Sequence, residues 1–416
     1  MPRHRRTLRP MKRAVTHDAT TAPRDWRRTI VAAWARMRRA MPFGVQDMLF
    51  HLPVEATADT VALVRARGWP LVDLGPNDPT PPRVIDGSDA DAVAAVAGSC
   101  TVRGAGARLF AAAIPEGRVL ARACTAVAPQ GVVLADVSPH ALVPLAQHRG
   151  LSGAIVARPP RRLRGTSALA GAVGHANFYH WMLDMLPRIG LLEEAARADA
   201  AFARIDRWIV PATRLGVARE LLAAAGIPSE RVESVRRGDQ VVCDHLLVTG
   251  APAPICEPTR RSAAYLRGVF GDRDAVARSG ARRVYLARRG RRKIANESEL
   301  APILARFGFE TVAMEGLGLA AQVDAIRGAR VVVAPHGAAL AHLVHVAEGG
   351  TLVECLPPRI SNPSFFMLAG ACGLRYAAIR GREDRASRGQ PDGAADFAVD
   401  AADLERVLRA ALVDDA

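Results

Sequence analysis

Val331-Val332-Val333-Ala334-Pro335-His336-Gly337-Ala338-Ala339-Leu340 reads as a buried strand that stops at a tight turn of small residues and opens a helix. Its apolar residues run on without alternating, which is the habit of a parallel strand covered on both faces. At such a turn the free backbone N–H groups and the positive end of the helix dipole point outward and can hold phosphate. Gly337 and Ala338 let a ligand come close to the backbone, and His336 can donate to a phosphate oxygen or a sugar hydroxyl. Ligands of parallel sheets bind at the carboxyl ends of strands, so His336, Gly337, Ala338 and Ala339 are candidate ligand-binding positions.

The pattern on both sides repeats this unit. Strands are expected at 283–287, 310–314, 331–334, 351–355 and 376–379, with helices at 297–307, 319–328, 338–347 and 401–412 between and after them. Upstream, 181–198 and 215–225 read as helices, and 208–210 and 241–248 as strands. Two more strand-like segments flank the turn Pro129-Gln130-Gly131. The Pro-rich stretch 250–258 breaks the run, and 259–271 reads as one connecting helix. Short apolar strands alternating with helices argue for an α/β protein with doubly wound parallel sheets. The expected division is 1–42 basic tail and amphipathic helix, 43–257 N-terminal domain, 258–281 connection and 282–416 C-terminal domain. Residues 43–115 are rich in Pro, Gly and Asp and yield little.

The 416 residues carry a formal charge of +15, which first suggests a polyanionic partner. The charge is uneven. Residues 1–40 hold twelve Lys/Arg against two acids, so +10 lies there and +5 remains for the other 376 residues. Within that tail Trp26, Ile30, Trp34, Met37 and Met41 recur at helical spacing with arginines mostly off the stripe. Such a basic amphipathic helix can lie on an anionic membrane surface or pack on the body. No apolar run reaches the ~20 residues of a membrane span. The six cysteines form no close pair, which fits buried, reduced thiols. The expected location is cytoplasmic, with peripheral attachment at the inner face of the membrane through 26–41.

Several motifs fail. Around Gly104 and Gly106 the dinucleotide fingerprint has Leu109 where the third glycine belongs, and there is no P-loop or G-x-S-x-G elbow. Asp89-Ala90-Asp91 and Asp272-Arg273-Asp274 have the D-x-D form, but the first opens an Ala-rich helix and reads as a cap. His336, His342 and His345 lack a carboxylate to complete a metal set, so no metal ligand is assigned.

Two further segments carry chemistry. Residues 174–188 (GHANFYHWMLDMLPR) concentrate His175, Asn177, Tyr179, His180, Trp181 and Asp184 in a chain with only 5% aromatics. His180 and Asp184 are four apart and share a helical face. A His/carboxylate pair suits proton transfer or holding a hydroxyl-rich ligand. Tyr179 and Trp181 suit the core as well. Residues 282–293 hold seven basic side chains, and Arg288 follows the end of a strand, where a guanidinium fork can clamp phosphate. Aromatics are not interleaved there, which weakens single-stranded nucleic-acid binding.

Taken in order, these segments resemble glycosyltransferase family 61, which includes bacterial capsular-polysaccharide enzymes, plant xylan-decorating transferases and animal O-linked N-acetylglucosamine transferases. The resemblance rests on Asn177-Phe178-Tyr179-His180-Trp181 through Asp184 to Leu186-Pro187-Arg188, and on Tyr285-Leu286-Ala287-Arg288. It continues through Arg292-Lys293-Ile294, Asn296-Glu297, Gly308-Phe309, Glu315, Gln322 and His336–Leu340, covering 170–360. Ala287, Gly318 and His342 depart from the usual Ser, Ser/Thr and Asn. The bacterial capsular type is the nearest in pattern. The resemblance implies a GT-B arrangement of two Rossmann-like domains facing across a cleft. It implies a nucleotide-sugar donor, UDP-linked in expectation, a glycan or lipid-linked glycan acceptor, and inverting transfer with no obligatory metal or cofactor. Under it Asp184 or His180 is the general base. Arg288, Lys293, Asn296, Glu315, His336 and Gly337–Ala339 hold the donor, and His175, Asn177, Tyr179 and Trp181 the acceptor. Alternatives are a basic nucleic-acid-binding protein, favoured by pI alone, and a non-catalytic binding member of the family.

Overall fold

The computed structural model describes residues 55–100, 108–121, 124–138, 159–252, 257–271, 282–387, 390 and 394–413, with Met37 and Pro53. Residues 43–416 make one compact unit and 1–42 another. Apart from Met37, helical and exposed, the amphipathic stretch 26–41 lies outside the described residues, as does Asp272-Arg273-Asp274.

The opening stretch forms the strand Val331–Pro335 at the middle of a six-stranded sheet. The order is Phe309–Ala313, Arg283–Ala287, Val331–Pro335, Thr351–Leu356, Arg375–Arg380 and Arg83–Val84, all parallel. Side chains alternate across a strand. Val331 and Val333 therefore join one apolar cluster with Leu300, Leu404 and Leu408, while Val332 and Ala334 join another with Val323, Leu343 and Leu368. Burial on both faces is why the strand reads as a continuous apolar run. The helices Glu297–Arg306 and Ala401–Val413 cover the first face. Leu319–Ile326, Ser364–Ala371 and the segment Ala338–His345 cover the second. The terminal helix packs on this sheet. Its apolar stripe, Leu404, Val407, Leu408 and Ala411, is used up there. Residues 338–345 wind as a 3₁₀ helix where an α-helix was expected.

The other sheet has ten strands and is mixed. Arg161–Leu169, Arg207–Pro211, Val232–Val235 and Gln240–Thr249 run parallel in the order 240–249, 161–169, 207–211, 232–235. Arg108–Pro115 and Arg118–Leu120 pair antiparallel with Gln240–Thr249. The expectation of a purely parallel first sheet is therefore corrected. The connection 129–131 is too short for the crossover that parallel neighbours require, so Thr125–Ala128 and Val132–Leu134 pair antiparallel, while Arg108–Pro115 and Arg118–Leu120 follow one another along the same edge of Gln240–Thr249. Residues 71–76, in the stretch whose sequence yields little, form a strand on Arg108–Pro115.

One apolar cluster runs from the first sheet (Ala111, Ala168, Leu247) through the helices to the second sheet (Val332, Leu352). The connecting helix Arg260–Val269 is part of it through Ala263 and Leu266. Arg267 also donates to the carbonyls of Val344 (2.9 Å) and Cys372 (2.8 Å). Residues 83–99 belong spatially to the second sheet. Asp89 caps the helix Ala90–Ser99 by accepting from Ala92 N (2.9 Å), as the capping reading of Asp89-Ala90-Asp91 expects, and its other oxygen accepts from Arg380 N (3.2 Å). No helix among the described residues is long and apolar enough to cross a membrane.

Candidate active site

A cleft of about 640 Å³ opens where the strands Arg283–Ala287, Phe309–Ala313 and Val331–Pro335 end. The second sheet contributes Arg288, Glu315 and Gly337–Ala339, and the first half contributes Phe178, Leu215 and Glu220. Arg288 is half-buried and donates to His336 O at 2.9 Å. Gly337 is required by this packing. A Cβ there would lie 2.0 Å from Arg288 Nη1, although its φ of 178° suits any residue. Burial, then the charge of Arg292, pushes the Arg288 guanidinium below its ordinary value, against the pull of Glu315. Positive charge is crowded at this edge, a condition an anionic ligand relieves. Glu315 accepts from Arg289 N (3.0 Å), which fixes the turn carrying the arginines.

His336 points its Nδ1 away from Arg288, to Glu354 Oε1 at 2.6 Å. Glu354 is fully buried, and its second oxygen accepts from Tyr376 Oη at 2.7 Å. A buried carboxylate needs such partners. Because a carboxylate only accepts, Nδ1 holds the proton, and among the described residues Nε2 makes no hydrogen bond. Glu354 and Tyr376 escaped the sequence reading. Apolar strand neighbours surround them, and only their pairing across adjacent strands (Leu352 beside Tyr376, Glu354 beside Ala378) brings them together.

The helix of the second motif starts at Asn177, whose side chain accepts from Tyr179 N (3.0 Å). It runs from Phe178–His180 through a π-helical stretch, Trp181–Met185, into Leu186–Ala198. Pro187 lacks the N–H that would bond Leu183 O, which accounts for the wider turn. Within it His180 Nδ1 meets Asp184 Oδ2 at 2.5 Å. Burial opposes charging of the His180 ring, but the hydrogen bond and charge of Asp184 outweigh it and the pKa rises above 6.5. Asp184 Oδ1 is buried without a hydrogen-bond partner among the described residues. Gly174, at φ +84°, lies against the His180 ring, and a Cβ there would approach it to 2.1 Å. Arg188 is buried and ties this helix to the first sheet through Val137 O (2.7 Å) and Thr249 O (3.2 Å).

Between the two histidines lie two rings. Tyr179 stands edge-on to His180 (5.4 Å) and to Phe365 (5.6 Å), and Phe365 stands edge-on to His336 (5.0 Å). Other expected site residues are placed differently. Trp181 is buried, donates its indole N–H to His175 O (2.9 Å) and borders the neighbouring cleft beside Leu215 and Gly216. Lys293 pairs with Asp396 (3.9 Å), and Asn296 exchanges hydrogen bonds with the backbone of Val399 (2.8 and 3.0 Å). Neither lines the cleft, because the chain after Arg292 turns toward 396–399. His342 stacks on Phe178 (4.8 Å) and holds Gln322 (2.9 Å), which lines the cleft.

This is an α/β protein with an arginine-bearing cleft at the carboxyl edge of a parallel sheet. Residues 178–353 match the model of the family Glycosyltransferase 61. The matched segment contains the His180–Asp184 pair, Arg288 and the His336–Ala339 turn. No curated protein matches the chain.

Proposed function

We propose that the protein transfers a sugar from a nucleotide-sugar, UDP-linked in our reading, to a hydroxyl of a glycan or lipid-linked glycan, with inversion. The observation that carries this is the position of Arg288, half-buried at a strand end, anchored on His336 O and facing the backbone of Gly337–Ala339. A diphosphate there would meet a fixed guanidinium and free backbone N–H groups, which neutralise it as it leaves. Glu315 and His336 would hold ribose or donor sugar. The geometry favours His180 as the general base, with Asp184 holding its Nδ1 proton and leaving Nε2 to take the acceptor proton. In this reading the two halves form a GT-B arrangement, the donor on the half around the second sheet and the acceptor on the other. A role in building a surface polysaccharide near a membrane belongs to the same reading.

Calorimetry with nucleoside diphosphates tests it. Arg288→Ala is expected to weaken binding by about tenfold to a hundredfold, the worth of a charged hydrogen bond. Equal affinity in the variant would remove Arg288 from the donor site.

A further inference from the structure

A second cleft, of about 700 Å³, opens at the carboxyl ends of Arg207–Pro211 and Val232–Val235. Leu215 and Gly216 line both clefts, so the two adjoin. Its lining combines apolar Leu222 and Ile227 with the exposed side chains of Arg214, Arg219 and Arg236.

Among the described residues no aspartate or glutamate lines this second cleft. The carboxylates close in sequence have partners other than these guanidinium groups, Glu230 accepting from Ser229 Oγ (3.5 Å). Glu220 accepts from Leu319 N (2.9 Å), Glu233 pairs with Arg161 (2.5 Å), and Asp239 accepts from the backbone N–H of Arg236 (2.8 Å). Among the described residues none of the three guanidinium groups makes an ion pair. Three cations of one sign at a cleft with low-dielectric walls focus a positive field into it. Arginine forks match carboxylate and phosphate oxygens two at a time. The first cleft differs, since Glu220 and Glu315 both line it.

We propose that the second cleft binds an anionic group of the acceptor, a carboxylate or phosphate borne by the glycan near the hydroxyl that receives the sugar. The word acceptor rests on the transferase reading above; the anion site does not. A neutral glycan would leave the three charges unmatched, so the cleft selects acidic acceptors.

The test uses the full chain and three oligosaccharides of one length, neutral, uronate-bearing and phosphorylated, titrated calorimetrically at low and high salt. An acidic oligosaccharide is expected to bind, more weakly at high salt, and the neutral one at least about tenfold more weakly. The better of the two acidic probes names the source of the anion. Arg214→Ala/Arg236→Ala should weaken acidic-glycan binding by about tenfold or more and leave nucleoside diphosphate affinity unchanged. Equal binding of neutral and acidic probes, no binding of either acidic probe, or unchanged binding in the double variant would overturn the proposal. If the double variant loses the acidic glycan while no nucleoside diphosphate binds even the parent protein, the transferase reading fails and the anion site stands.

Discussion

The two clefts lie side by side at the carboxyl edges of two sheets, yet they hold their cations in opposite ways. In the first, Arg288 is half-buried, bonded to His336 O, backed by a glycine that leaves it room, and accompanied by Glu315. In the second, Arg214, Arg219 and Arg236 are exposed and without ion pairs among the described residues. A locked cation is preorganised for one invariant group, because ordering it on binding costs little. Exposed arginines keep their rotamer freedom and can follow a variable partner, at the cost of ordering them when it binds. Under the proposed function, the contrast matches a donor whose diphosphate never changes and an acceptor whose shape does.

The largest expected effect lies at the helix that adjoins both clefts, with Phe178 lining one and Trp181 the other. Asp184→Asn should lower kcat by about 10²–10⁴, the range of general-base catalysis. It should also move the pH profile. The base acts in its neutral form, so parent activity falls as pH drops through a His180 pKa raised above 6.5. Without the carboxylate charge, burial alone remains and lowers that pKa, so the acid limb should shift to lower pH. A limb that stays in place would remove His180 from the proton transfer. Next comes the lock itself. Gly337→Ala should push Arg288 aside and weaken nucleoside diphosphate binding by about tenfold. The melting temperature should hold, since the φ of 178° accepts alanine and the displaced group is the end of a flexible side chain. Unchanged affinity would mean that Arg288 is not locked and that the contrast between the clefts is weaker than drawn. The smallest effect belongs to the unlocked cleft. Arg219→Ala should change the unfolding free energy in urea by less than about 0.5 kcal/mol, as for other exposed, unpaired residues. A larger loss would show that Arg219 has a structural partner.

Much of the second half was legible because its strands are buried on both faces and its helices show apolar stripes, as in Val331–Pro335 and Ala401–Val413. The first half was harder. Arg108–Pro115 is a continuous buried apolar run and yet pairs antiparallel, Leu71–Pro76 is interrupted by Asp73 and Gly75, and 83–99 leaves that half to pack on the second sheet. Within the site, the His180–Asp184 pair follows from spacing alone, since four residues is one helical turn. The Arg288–Gly337 contact does not, for 49 positions separate its residues. Lys293 and Asn296 follow Arg288 closely in sequence, but there the chain has already turned toward Asp396 and Val399.

Local order of residues was enough to determine the α/β class, the strand–turn–helix at His336–Ala339, the basic edge near Arg288 and the capping role of Asp89, because each depends on neighbours within a few positions. Tertiary structure alone decided that Glu354 and Tyr376 hold His336, that Gly337 makes room for Arg288, and that Arg236 meets Arg214 and Arg219 at a second cleft. These depend on strands and loops brought together by burial of a shared core, and burial is blind to distance along the chain.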